Sequence, residues 1–181
     1  MATSAPDTPP NEVTVGVDDA GAELTGLIGA ADAVPLISGI VGQIFPDAPI
    51  EDLTFVDDTI DNRELTVILE DRRGVGFDRD VYDVVNDDLA ETLDGVAAAL
   101  DDHPDATIVL IGHAITAGDD EADRAAAIRR ADTARDYLIE FGIDETRLGT
   151  LGAGEDGTFP TTSETSINRR IDYLIDGLST D

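Results

Sequence analysis

Hydrophobic and polar positions change period several times along this chain, and each change marks an element. Val13, Val15 and Val17 alternate with Thr14 and Gly16, the two-residue period of a strand. Residues 18–21 have turn chemistry, and residues 22–27 return as a second strand. The period then lengthens. Leu36, Ile37, Ile40, Val41 and Ile44 fall on one face of a helix over residues 32–45, with Asp32 as its cap and Pro35 in its first turn. Pro46 ends that helix, because the residue before a proline avoids helical geometry. Residues 50–56 read as another strand.

In the second part of the chain, residues 64–69 alternate as a strand and residues 71–76 turn. Val81, Val85, Leu89, Leu93, Val96 and Leu100 recur every three or four residues, which predicts an amphipathic helix over 81–100. The near-continuous apolar run 107–111 predicts a strand covered on at least one face. A second long helix follows over 119–140, with Ala122, Ala126, Ile128, Ala134, Tyr137, Leu138 and Phe141 offered for packing and Gly142 as its C-terminal cap. Residues 147–152 and 170–176 are the last strands, and Ile171, Tyr173 and Ile175 share a face. Two long helices returning to a small mixed sheet make an α+β sandwich. The organisation expected is a disordered tether at 1–11, a small module at 12–60 and a larger domain at 61–181, with the boundary between 57 and 62.

Composition narrows the function. The formal charge is −29, from 40 acidic residues against 11 basic ones, and every basic residue is arginine. A surface this negative repels nucleic acid and anionic lipid. Codon usage in a GC-rich genome and adaptation to high salt both account for such acidity. With no cysteine there is no disulfide or thiolate metal site. No run approaches the about 18 apolar residues needed to span a bilayer. Residues 1–11 lack the basic and apolar regions of a secretory signal.

Two resemblances follow from particular residues. Ala22-Glu23-Leu24-Thr25-Gly26-Leu27, a helix of suitable length and a strand after Pro46 resemble one unit of a BON domain, although a generic small α/β unit has the same order. That resemblance implies a non-enzymatic module associated with membranes or envelope components. Farther on come Phe77-Asp78, Gly112-His113 after a strand, Arg130-Ala131 eighteen residues beyond Gly112, Gly152-Ala153-Gly154-Glu155, and Asn168-Arg169-Arg170 opening the last strand. In that order, over residues 64–177, they resemble the OmpA-like peptidoglycan-binding domain. The resemblance implies an OmpA-like mixed sheet with two long helices packed on it, preceded by the BON-like unit. It also implies a non-catalytic protein of the periplasm, outer membrane or cell wall that binds the diaminopimelate side chain of peptidoglycan, with envelope proteins as further partners.

In that family an arginine matching Arg130 grips the ligand carboxylate, for which a guanidinium fork is suited. An aspartate in a Gly-His-Thr-Asp loop accepts from the ligand ammonium. Here the loop reads Gly112-His113-Ala114-Ile115, so Ala114 replaces the threonine and Ile115 the aspartate. A hydrogen bond to a charged group contributes about 1.5–3 kcal/mol, so the change costs roughly ten- to a hundred-fold in affinity. Asp123 and Asp80 stand where the family has asparagine, with Asp119 and Asp120 nearby, and one of them is expected to accept from the ammonium instead. The loop before Asn168 is also shorter than the family's. An ordinary role in surface ion pairs remains open for Arg130, and a strand-anchoring role for Arg169 and Arg170. His113 is expected to support the strand-to-loop turn, and His103 to sit at a helix end. Loss of wall binding would leave a protein–protein interaction module, which the apolar Ala114-Ile115 pair suits.

No nucleophile elbow, phosphate loop, dinucleotide fingerprint or calcium loop is present, so no catalytic residue, metal ligand or cofactor is assigned. The charge itself makes a prediction. Screening relieves self-repulsion, so the melting temperature should rise clearly between low salt and molar salt. A flat salt response would exclude halophilic adaptation as the origin of the acidity.

Overall fold

A computed structural model describes residues 12–26, 33–48, 50–53, 65–78, 81–114, 120–154 and 166–178. The expected tether at 1–11, the cap at Asp32 and the expected boundary at 57–62 lie outside these. The elements run β1 (Glu12–Asp18), β2 (Gly21–Gly26), α1 (Ala33–Ile44), β3 (Ile50–Leu53), β4 (Leu65–Asp71), α2 (Asp87–Asp102), β5 (Thr107–His113), α3 (Asp120–Phe141), β6 (Leu148–Gly154) and β7 (Ile171–Leu178). Short 3-10 turns at Glu145–Arg147 and Ser166–Arg169 precede the last two strands.

The strands form one mixed sheet in the order β3-β2-β1-β4-β7-β5-β6. β1–β2, β4–β7 and β5–β7 are antiparallel, while β1–β4, β2–β3 and β5–β6 are parallel. Because β1 pairs with β4, the sheet runs unbroken from the N-terminal strands into the rest of the domain. One apolar cluster likewise joins Val15, Ile40 and Phe45 to Leu69, Leu93, Leu110 and Tyr173. The described helices number three, the two long ones and α1 of the N-terminal segment.

Helix α2 begins six residues later than the periodicity indicates. Its N-cap is Asn86, whose side chain accepts from the Leu89 N–H at 2.9 Å and donates to the Gly76 carbonyl at 2.8 Å. Asp87 and Asp88 then fall in the first turn, where the helix dipole favours acids. Val81 and Val85 continue the apolar spacing but lie in the preceding segment. At the other end, Arg147 donates to the carbonyls of Leu100 and His103, which the helix end leaves open, and to that of Ala106 in the following turn, at 2.7–2.9 Å. Gly142, at φ 117°, closes α3 in the left-handed conformation.

The packing face of α3 also differs from the expected one. Ala122, Ile128 and Phe141 are largely exposed, although Ile128 lies against Gly152 of β6 and Phe141 stacks on Tyr137, and the buried face is Asp123, Ala126, Ala127, Arg130, Ala131, Ala134 and Leu138. The reason is proximity. A Cβ on Gly112 would strike the Ala127 carbonyl, and one on Gly152 would come within 2.5 Å of the Ile128 Cγ1 and 2.9 Å of the Arg124 carbonyl, so both strand positions must be glycine for the helix to lie this close. The α1–α2 crossing uses the same device, since a Cβ on Gly95 would strike the Gln43 carbonyl. Beside it, the Gln43 amide donates to Asp102 at 2.6 Å. Alanine at 95 gains about 1 kcal/mol of helix propensity, but overpacking against fixed backbone costs about 3 kcal/mol. Gly95→Ala is therefore expected to lose about 1–2 kcal/mol net in urea unfolding, and a gain would refute the close approach.

Candidate functional site

The end of β5 is where the sequence-predicted residues converge. Because Gly112 lets α3 close on the strand, Arg130 reaches the first carbonyl beyond it, and its Nη1 donates to the His113 oxygen at 2.7 Å. The guanidinium carbon lies 5.0 Å from the Tyr82 ring centroid and 5.7 Å from that of Phe77, a cation–π arrangement on two aromatic rings. Arg130 is only 3% exposed, so it is not a surface arginine of α3. Asp123, 1% exposed, is seven residues earlier on the same helix face. Ala114 is fully buried and packs with Ala126, Ala127 and Tyr82.

Phe77 is fixed from the far side. Its N–H donates to the Arg169 carbonyl at 2.9 Å, and the Arg169 Nε donates back to the Phe77 carbonyl at 3.1 Å. Gly76 pairs with Arg170 in an isolated bridge, and a Cβ there would strike the Arg169 carbonyl. Asn168 is buried in the turn just before. The Asn168-Arg169-Arg170 stretch thus holds the segment that carries one of the aromatic walls around Arg130.

Behind the site lies a buried ionic network. Arg170 donates through Nε and Nη2 to the two oxygens of Asp172, each at 2.9 Å. Asp172 also accepts from the Asp71 N–H at 3.1 Å, and its Oδ2 lies 2.8 Å from the His113 Nε2. His113 is held twice more, since its N–H donates to the Arg170 carbonyl at 3.1 Å and its own carbonyl takes Arg130. Arg73 forks onto Asp71 at 2.9–3.0 Å and sits 4.6 Å from the Phe45 ring at the end of α1. Burial raises the pKa of the Asp172 carboxyl, but the His113 and Arg170 contacts outweigh it and leave the group below its ordinary value.

Asp80, Ile115 and Asp119 lie outside the described residues, and Asp120 opens α3 at an exposed position. His103 ends α2 as its C-cap, donating its N–H to the Ala99 carbonyl at 3.1 Å. Sequence reasoning passed over Tyr82, Asp71, Arg73 and Asp172. Asp172 had left a signal: it is the acid inside the apolar run Ile171–Ile175, two residues after a candidate arginine. Tyr82 had left none. A groove of 450 Å³ lined by Val84, Val85, Thr133, Asp136 and Tyr137 lies elsewhere, and its lining does not include Arg130. Among the described residues, no group of three His, Cys, Asp or Glu side chains is placed to hold a metal, and no helix is long and apolar enough to cross a membrane.

Comparison with known proteins matches this architecture. The sequence profile of the OmpA family matches residues 76–172. The peptidoglycan-associated lipoprotein of Haemophilus influenzae is 36% identical over 81 residues, which cover 45% of this chain and 51% of that protein. The protein of the same name from Rhizobium meliloti is 35% identical over 94 residues, 52% of each chain. The chain thus spans about half the length of the curated relatives it matches. Among solved structures, the OmpA-like domain of FopA1 from Francisella tularensis superposes with a TM-score of 0.52 at 19% identity. That superposition covers 65% of this chain and 76% of the other, and at such identity the likeness is one of fold.

The depressed Asp172 carboxyl gives a pH dependence with a definite sign. Its contribution to stability is complete above the unfolded value of about 3.9 and is lost as the pH falls through the lower folded value. Melting temperature measured from pH 7 down to pH 2 should therefore fall less steeply on the acid side for Asp172→Asn than for wild type. Parallel acid limbs would remove Asp172 from the account.

Proposed function

Because this chain belongs to the OmpA family, we propose that it is a non-catalytic cell-envelope protein that attaches to peptidoglycan through residues 61–181. The curated relatives bear the name peptidoglycan-associated lipoprotein, which supports both the ligand class and the envelope location. The observation that carries the reading is Arg130, a buried guanidinium braced by a backbone carbonyl and two aromatic rings at a strand end. A fixed fork of that kind suits a carboxylate.

The finer reading is that the ligand is the diaminopimelate side chain, with Arg130 on its carboxylate and a relocated acid on its ammonium. Asp123 is the favoured acceptor because it is buried on the same face of α3 as Arg130. Asp80 is the second candidate. The alternative, a domain that has exchanged wall binding for a protein partner, draws on Ala114 and Ile115. Ala114 packs against Ala126, Ala127 and Tyr82, and wall binding is the favoured reading because the curated relatives bear the name peptidoglycan-associated lipoprotein.

The BON-like reading of residues 12–60 rests on the order hairpin, helix, strand, which β1, β2, α1 and β3 have. The family match begins later, at residue 76.

The test is co-sedimentation with diaminopimelate-type peptidoglycan. Wild type should bind, and Arg130→Lys, which keeps the charge but loses the fork, should weaken binding roughly ten- to a hundred-fold. Asp123→Ala should weaken it by a similar factor, and Asp80→Ala should do so only if Asp80 is the acceptor. Absence of wild-type binding would defeat the reading.

A further inference from the structure

Asp172 connects the charged interior of this domain to the candidate ligand arginine. Its carboxylate is immobilised from two sides, by the Arg170 fork at 2.9 Å and by the Asp71 N–H at 3.1 Å. Its Oδ2 then faces the His113 Nε2 at 2.8 Å. The His113 side chain is 5% exposed, so water does not compete effectively for that contact. The carbonyl of the same histidine receives Arg130 at 2.7 Å. His113 is also the last residue of β5, where the register against β6 shifts between Gly112 and His113. The His113 N–H is held by the Arg170 carbonyl at 3.1 Å, and the ring contact adds a restraint from the side chain.

We propose that Asp172 is a positioning residue for Arg130: by holding the His113 ring it orients the His113 carbonyl, and that carbonyl sets the guanidinium. The proposal takes the carboxylate-binding role of Arg130 from the preceding section. Asp172 itself does not contact the ligand. The proposed route from Asp172 to Arg130 runs through the His113 ring, which distinguishes it from a general contribution to the core. A buried ion pair made only for stability would change folding and leave the Arg130 guanidinium in place.

Two readouts separate these cases in the full chain. The first, which needs no ligand, is the set of guanidinium N–H resonances of Arg130 in arginine-labelled protein, assigned with Arg130→Lys. The second is calorimetric affinity for a soluble diaminopimelate-containing muropeptide. Asp172→Asn and His113→Phe, each below its melting temperature, should both shift and broaden the Arg130 signals and weaken the muropeptide by about tenfold. The double variant should lose no more than the weaker-binding single variant, because the two residues act in series. Asp172→Glu should recover part of the signal pattern.

Arg130 resonances unchanged in the folded variants would overturn the proposal. So would losses that multiply in the double variant. Should Asp172→Asn not fold, His113→Phe decides alone, since it leaves the Arg170–Asp172 pair intact. If wild type does not bind the muropeptide, the carboxylate role of Arg130 fails, and the resonances still decide whether Asp172 positions it.

Discussion

Buried charge is the constraint around which this domain is organised. Arg130, Arg170, Asp71 and Asp172 each expose 3% or less, apart from Asp172 at 5%. An ion withdrawn from water costs several kcal/mol unless its partners are close and well directed. Removing one partner of such a pair costs about 3–5 kcal/mol, because the other charge is left uncompensated. Asp172 answers this demand with Arg170, the Asp71 N–H and His113, and Asp71 answers it with Arg73. These contacts tie β4, β5 and β7 together at one end of the sheet. That end is where Arg130 stands.

The contrast with the surface is physical. Surface pairs such as Arg135 with Asp132 and Asp136 are screened by water and salt, and each contributes at most about 1 kcal/mol. The charge of −29 thus governs solubility and repulsion, while the fold depends on a handful of interior charges. The N-terminal segment is drawn into the same arrangement. Arg73, already committed to Asp71, lies on the Phe45 ring, and Phe45 packs 6.5 Å from Tyr173. Together with the β1–β4 pairing, this makes α1 and its strands part of the network's surroundings.

Close approach is the second requirement. Gly112 and Gly152 let α3 lie close on β5 and β6, with Ala127 against Gly112 and Ile128 against Gly152, and this contact delivers Arg130 to the His113 carbonyl. With larger residues at 112 or 152 the helix would stand farther off, and the guanidinium would be displaced with it. The packing geometry of the fold and the geometry of the candidate site are therefore one feature.

Much of this was readable in the chain. Alternation at Val13–Val17 and at 64–69, the helical spacing from Leu89 to Leu100, and Gly142 as a cap each specify an element through local geometry, which needs no distant partner. The family motifs likewise located Gly112-His113, Arg130 and Asn168-Arg169-Arg170. The start of α2 departs from the apolar period because Val81 and Val85 keep the helical spacing, whereas the cap at Asn86 sets the boundary through its bonds to Leu89 and Gly76. The face of α3 differs from the one its apolar residues indicate because Gly112 and Gly152 draw the helix backbone onto the sheet, with Ala127 against Gly112 and Ile128 against Gly152. Periodicity and propensity act over neighbouring residues, so the sequence by itself determined which segments are strands and helices and which residues are candidates. The contacts of the Asp172 carboxylate across β4, β5 and β7 join distant residues, as when the Asp71 N–H donates to it from 101 positions away. Only the tertiary structure decided that Asp172 lies beside the His113 ring and that the His113 carbonyl receives Arg130.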